Sequence, residues 1–238
     1  MKRRELLTAT AASIASAAIP ARIGAEPGAH GGFPLTPSRT PLLVAFVMGP
    51  HATIIDFAGP WEAFGDVMLS SQHDMKFGFE MAMVSDSKQP LNLSGMIVTP
   101  KYTYRDFPSQ PNVIVVGAQH DHSPAKIAWI KDAARGADVV MSVCLGAFLL
   151  AKTGLLDGLK ATTHHDAYDE FAKQFPRVHL VRGPRFVDNG KMATAGGESS
   201  GIDLAFHVVE RYYGTGISAD AADTMEFTRS TRRPAPTA

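Results

Sequence analysis

Cysteine is almost missing from this sequence: Cys144 is the only one in 238 residues. One thiol excludes an intrachain disulfide and a zinc site built on several cysteines. An excess of charge is missing too, since 23 basic residues face 23 acidic ones. Without residues 1–26 the balance is 19 basic against 21 acidic, a net −2. Nothing electrostatic therefore points to nucleic acid or an anionic membrane as a partner. Internal repeats and low-complexity segments are absent as well. Hydrophobic residues make up 45% and charged residues 19%, the composition of a chain that buries a sizeable core. The length admits one α/β domain of ordinary size plus an extension, or two small domains.

Residues 1–26 read MKRRELLTATAASIASAAIPARIGAE, a basic start followed by an apolar, small-residue run. The stretch 6–19 is too short and too weakly apolar to span a bilayer. Arg3-Arg4 followed by Leu6-Leu7 resembles a twin-arginine export signal, with cleavage after Ala17, after Ala25 or nearby. An ordinary N-terminal segment is the other reading. Export makes the protein periplasmic or secreted, without stable membrane insertion after processing. Residues 27–40, rich in glycine and proline, read as a flexible leader. In an oxidising compartment the unpaired Cys144 is a liability unless it is buried or used.

The next segments alternate between two kinds. Residues 41–48 (PLLVAFVM), 112–116 (NVIVV) and 138–143 (DVVMSV) are continuous apolar runs of strand length, suited to a sheet buried on both faces. Weaker strands are expected at 78–85, 94–99, 179–182 and 191–195. Helical spacing is expected at 56–67, 125–134, 146–155, 167–174 and 201–213. This alternation predicts an α/β fold, a mostly parallel sheet with helices on both faces. The folded domain is expected over 41–216, with 217–238 as a loose C-terminal tail.

Sites in open parallel sheets form beyond the carboxyl ends of the strands. Three such ends carry chemistry: Asp56, the segment Gly117–His122, and Cys144. Cys144 stands where an apolar strand stops and a helix starts, with Gly146 supplying the small residue that a sharp strand–turn–helix corner needs. A helix N-terminus there favours thiolate over thiol. A free cysteine is also a common core residue, and Asp56 is equally readable as a helix N-cap. His120 and His122 alternate on an extended segment and could share a face toward a metal, but no third ligand is evident, so neither a metal nor another cofactor is expected.

Residues 142–165 (SVCLGAFLLAKTGLLDGLKATTHH), 56–64 (DFAGPWEAF) and 195–205 (AGGESSGIDLA) together resemble the ThiJ/PfpI superfamily of class I glutamine-amidotransferase-like proteins. The resemblance covers about residues 42–215. Its nearest branch contains isonitrile hydratase and the amidotransferase-like domain of AraC-type regulators. It implies a flavodoxin-like sandwich with Cys144 as the nucleophile on its elbow and Asp56 as the acid approaching from the first strand–helix turn. It implies further that the backbone N–H groups of Gly117, Ala118 and Leu145 serve a developing oxyanion. His164 matches the histidine of an ATTH motif, and His165 stands where close relatives usually carry tryptophan; both are expected to touch substrate. Glu198 and Asp203 read mainly as capping and packing residues.

Leu145 departs from both neighbouring branches. The protease-like branch has histidine at that position, so proteolysis is not expected. The isonitrile hydratase branch has threonine, whose hydroxyl contributes to activity there, and leucine cannot supply it. The function implied is an exported cysteine-dependent hydratase or hydrolase acting on a small carbonyl- or isonitrile-like electrophile, in a homodimer as relatives commonly form. The alternatives are a non-catalytic ligand-binding module and a thiol-based stress sensor. The roughly 20 residues expected after the domain read as too few for a DNA-binding unit, so direct transcriptional control is not expected.

Overall fold

A computed structural model describes residues 33–69 and 76–229. The expected export signal at 1–26, the first part of the leader and the last residues of the expected tail lie outside the described residues. Strand β1 (Leu42–Val47) is followed by helix α1 (Ile54–Gly65), β2 (Phe79–Ser85), a hairpin of β3 (Leu91–Leu93) and β4 (Met96–Val98), and the short β5 (Tyr102–Thr103). Then come β6 (Val113–Val116), α2 (Pro124–Ala133), β7 (Val139–Ser142), α3 (Gly146–Lys152) and β8 (Lys160–Ala161). A 3₁₀ turn (His165–Ala167) leads into α4 (Tyr168–Gln174), β9 (His179–Leu180), β10 (Phe186–Asp188), β11 (Met192–Ala195) and α5 (Ser200–Thr224).

Seven strands form the main sheet in the order β10-β11-β7-β6-β1-β2-β5. Every pairing in it is parallel except β10 against β11. The expected α/β class with a mostly parallel sheet is what the chain forms. β1 is buried along its whole length because successive side chains serve opposite faces. Leu42, Val44 and Phe46 join the core beneath α1 and α5. Ala45 and Val47 join the core on the other face, with Ile130 of α2 and Leu149 and Leu150 of α3.

Three expectations need correction. The expected 94–99 strand forms as Met96–Val98, but in a separate hairpin with β3, an arm the sequence pattern does not reveal, and β10 forms in a stretch that reads as loop. The expected loose tail from 217 is folded as far as it is described. Gly214 breaks the last helix with φ +83°, ψ 172°, a conformation glycine adopts without a Cβ penalty. Beyond it Ala221 and Ala222 are buried, Ser218 Oγ donates to Phe206 O at 2.8 Å, and Phe227 packs on Phe206. The leader is also partly anchored: Arg211 Nε donates to Phe33 O at 2.9 Å, and Leu35 N donates to Arg211 O at 2.8 Å.

Candidate active site

Three strand ends meet at Cys144. β7 stops at Ser142, and Cys144 takes φ +57°, the left-handed region that costs a non-glycine residue energy and persists only where the surroundings enforce it. Two hydrogen bonds and one close approach enforce it here. The Cys144 N–H donates to Gly196 O at 2.9 Å, and Thr163 Oγ1 donates to Cys144 O at 2.9 Å. A Cβ on Gly146 would come 2.0 Å from Val116 O. Any side chain there would push the corner off the sheet, so the glycine two positions after the cysteine is a steric requirement.

Asp56 lies in the first turn of α1 and is fully buried. It is not the N-cap, a place that Thr53 takes. Its Oδ2 accepts from Ala118 N–H at 2.8 Å, while Oδ1 is buried and finds no hydrogen-bond partner among the described residues. Gly117 lets the two loops approach this closely, since a Cβ there would sit 2.9 Å from Asp56 Cβ. Burial pushes the Asp56 carboxyl up to about 7, with the Ala118 amide opposing and Glu198 adding to the rise. This carboxyl therefore gains and loses its proton near neutral pH.

Cys144 is 6% exposed. Burial, and next the Asp56 carboxylate, push its thiol up to about 11, against the pull of the Glu198 and Leu145 amides that face the sulfur. The expected preference for thiolate at this corner is thus reversed: desolvation and a neighbouring carboxylate outweigh two backbone dipoles. The expected oxyanion donors need a second correction. The Ala118 N–H is spent on Asp56, and the Leu145 N–H faces the sulfur.

His164 and His165 stand on the wall of a cavity of about 680 Å³, with Ile55, Tyr168, Arg185 and Glu198. A second cavity of about 340 Å³ is lined by Ala118, Leu145, His51, His120 and Lys152, among others. Leu145 is 43% exposed and presents an apolar side chain on that wall. His120 packs against His51 with tilted rings 5.2 Å apart, and His122 is engaged by Gln119 O at 3.1 Å and Lys152 Nζ at 2.6 Å.

Two participants escape a reading of the sequence. Glu198, expected as a packing residue, turns its backbone N–H to the sulfur from a turn with φ +33°; the Gly196-Gly197 pair before it is the available signal. Arg185 reaches the larger cavity with its guanidinium held by buried Asp203, Nε to Oδ2 at 2.6 Å. Asp203 is a packing residue as expected, and what it holds is a cation on the cavity wall.

A sequence model of the DJ-1/PfpI family matches residues 43–211. The chain belongs to the DJ-1/PfpI family. Among curated proteins, it is 24% identical over 195 residues to the HTH-type transcriptional regulator GbdR of Pseudomonas aeruginosa, covering 81% of this chain and 52% of the regulator. It is 28% identical over 178 residues to isonitrile hydratase of Pseudomonas putida, 73% of each chain. The chain thus spans about half the length of GbdR. Among solved structures it is similar to a ThiJ/PfpI family protein from Pseudomonas syringae, with TM-score 0.70, 22% identity, and 94% of this chain and 88% of that one covered. These DJ-1/PfpI relatives include both an enzyme and regulators of transcription.

Proposed function

We propose that the chain is a cysteine-dependent hydratase or hydrolase for a small carbonyl- or isonitrile-like electrophile. The observation that carries this reading is the unpartnered, buried Oδ1 of Asp56, on a carboxyl that titrates near 7 and acts electrostatically on the Cys144 thiol. A partner-free acceptor in a desolvated site is costly to keep, and a proton in transit is what would use it. Cys144 Sγ forms a bond to the electrophilic carbon while the thiol proton passes to Asp56. At a carbonyl the π electrons move to oxygen, which takes that proton from Asp56 and gives a thiohemiketal; at an isonitrile the terminal carbon that has bonded sulfur also takes the proton from Asp56, giving the thioimidate R–N=CH–S. Water then adds to the thioimidate carbon with Asp56 as base. The C–S bond breaks and the sulfur recovers a proton, so the net reaction is addition of water. A resting thiol is suited to this order, because it releases its proton as the carbon–sulfur bond forms.

A second reading is a binding module. It is favoured by the cavity of about 680 Å³ beside the elbow and by the likeness to regulators. The stress-sensor variant draws less support, since oxidation needs thiolate and this thiol is pushed up to about 11. Export by the twin-arginine route rests on the Arg3-Arg4 pair and the small-residue run that follows, and a homodimer rests on family resemblance. Turnover of a panel of isonitriles and aldehydes by the purified chain, with Cys144→Ser and Asp56→Asn, tests the enzyme. Loss of turnover in both variants is expected, and full activity in either overturns the mechanism.

A further inference from the structure

The loop after β8 carries three consecutive metal-ligating side chains, His164, His165 and Asp166, and the fold brings one donor atom from each within 4.8 Å of the others. His164 is the fixed member. Its side chain is 24% exposed, and a Cβ on Gly197 would lie 2.7 Å from its Cδ2. The other two are adjustable, at 72% and 78% exposure. The imidazoles stack at 4.4 Å; Asp166 Oδ1 lies 3.1 Å from His165 Nε2 and Oδ2 lies 3.8 Å from His164 Nδ1, a nitrogen whose lone pair accepts the Asp166 N–H at 3.3 Å and would turn from that amide to the ion. Both histidines line the larger cavity.

Zinc–nitrogen and zinc–oxygen bonds of about 2.1 Å place tetrahedral donors roughly 3.4 Å apart. Reaching that value asks for side-chain rotations of His165 and Asp166, both of which are largely exposed. Two imidazoles and one carboxylate suit Zn²⁺, Ni²⁺ or Cu²⁺ and not Mg²⁺ or Ca²⁺, which take oxygen sets. His120 and His122 do not compete, because among the described residues no third ligand completes a group with them.

We propose that His164, His165 and Asp166 form a binding site for a divalent d-block cation on the cavity wall. Three protein ligands leave a coordination position open, where a small molecule in the cavity could place an oxygen or nitrogen lone pair. The site stands apart from the thiol chemistry proposed above, and its test does not read turnover.

Calorimetric titration of Zn²⁺ into the full chain, purified without a histidine tag, reads the site directly. One equivalent with micromolar affinity is expected. His165→Ala and Asp166→Asn should each weaken binding at least tenfold while leaving the melting temperature unchanged, because both side chains are exposed. Cys144→Ser, His120→Ala and His122→Ala should leave affinity as it was. Absence of binding below millimolar zinc overturns the proposal, as does equal affinity in the His165 and Asp166 variants. Binding lost with Cys144→Ser places the ion on the thiol and overturns it too.

Discussion

Ala118 and Asp56 are tied by one hydrogen bond of 2.8 Å, from a loop amide to Oδ2 on the first turn of α1. That bond spends the amide and orients the carboxyl so that Oδ1 is left buried and unpaired. The same carboxyl lifts the neighbouring thiol. The two titrations are therefore linked, and removing the charge on one shifts the other.

Asp56→Asn separates two effects that a simple loss of structure would not. Turnover should disappear, since the amide cannot accept the thiol proton. The thiol itself should become easier to ionise, because the Asp56 charge is gone and only burial and the Glu198 charge remain to hold it up. Alkylation of Cys144 by iodoacetamide at pH 9 should then run severalfold faster in the variant than in the parent protein. Equal or slower alkylation would show that Asp56 does not act on the sulfur.

Stability should depend on pH through the same group. The Asp56 carboxyl titrates at 3.8 in the unfolded chain and about 7 in the folded one. Between those values the native state binds more protons, so stability falls as pH rises through this window. The upper bound is roughly 4 kcal/mol from about three pK units, before relaxation of the site. Urea midpoints at pH 5 and pH 8 should show the parent protein losing more stability than Asp56→Asn. A parallel decline in both would assign the loss to other groups.

Gly146→Ala tests whether the corner is imposed by packing. The added carbon would lie 2.0 Å from Val116 O, a backbone atom that cannot rotate away. A loss of about 3 kcal/mol or more is expected in chemical denaturation, at the upper end for overpacking. Gly216→Ala is the control, because a Cβ added there would meet nothing within 4 Å, and it should cost little. A Gly146→Ala protein as stable as the parent would mean that the corner yields easily.

How far the residues themselves disclose this arrangement follows from what each feature depends on. β1, β6 and β7 are legible because a strand buried on both faces must be apolar throughout. Cys144 and Gly146 are legible because a two-residue spacing is all that a sharp corner asks for. Glu198's amide is not, since its contact with sulfur depends on a positive φ in a turn that any GGESSG string permits. Nor is the capture of the Ala118 N–H by Asp56, which depends on how a loop and the first turn of α1, 62 residues apart, meet. β10, three residues at the sheet edge, is shorter than a pattern can reveal, and the folded segment after Gly214 has apolar residues too sparse to stand out from a tail.

Lys126 brings the last test, because a fully buried lysine in the first turn of α2 is held by more than packing. Its Nζ contacts Gln119 Oε1 at 2.5 Å, Asp121 O at 3.0 Å and Asp121 Oδ2 at 2.9 Å. Gln119 Nε2 in turn donates to Val47 O at 3.0 Å and Gly117 O at 3.2 Å. This network holds the loop whose next amide is the one that grips Asp56. Lys126→Met keeps the length of the side chain and removes the donor, stranding Gln119 Oε1 in the interior while Asp121 hydrates at the surface. A cost of about 1–3 kcal/mol is expected for the orphaned acceptor. The loop would also hold Asp56 less firmly, so the pH at which turnover reaches half its maximum should move away from about 7, the value burial and the Ala118 bond now set together. A variant with lower stability but an unmoved pH profile would confine Lys126 to stabilising the loop, with no influence on the carboxyl.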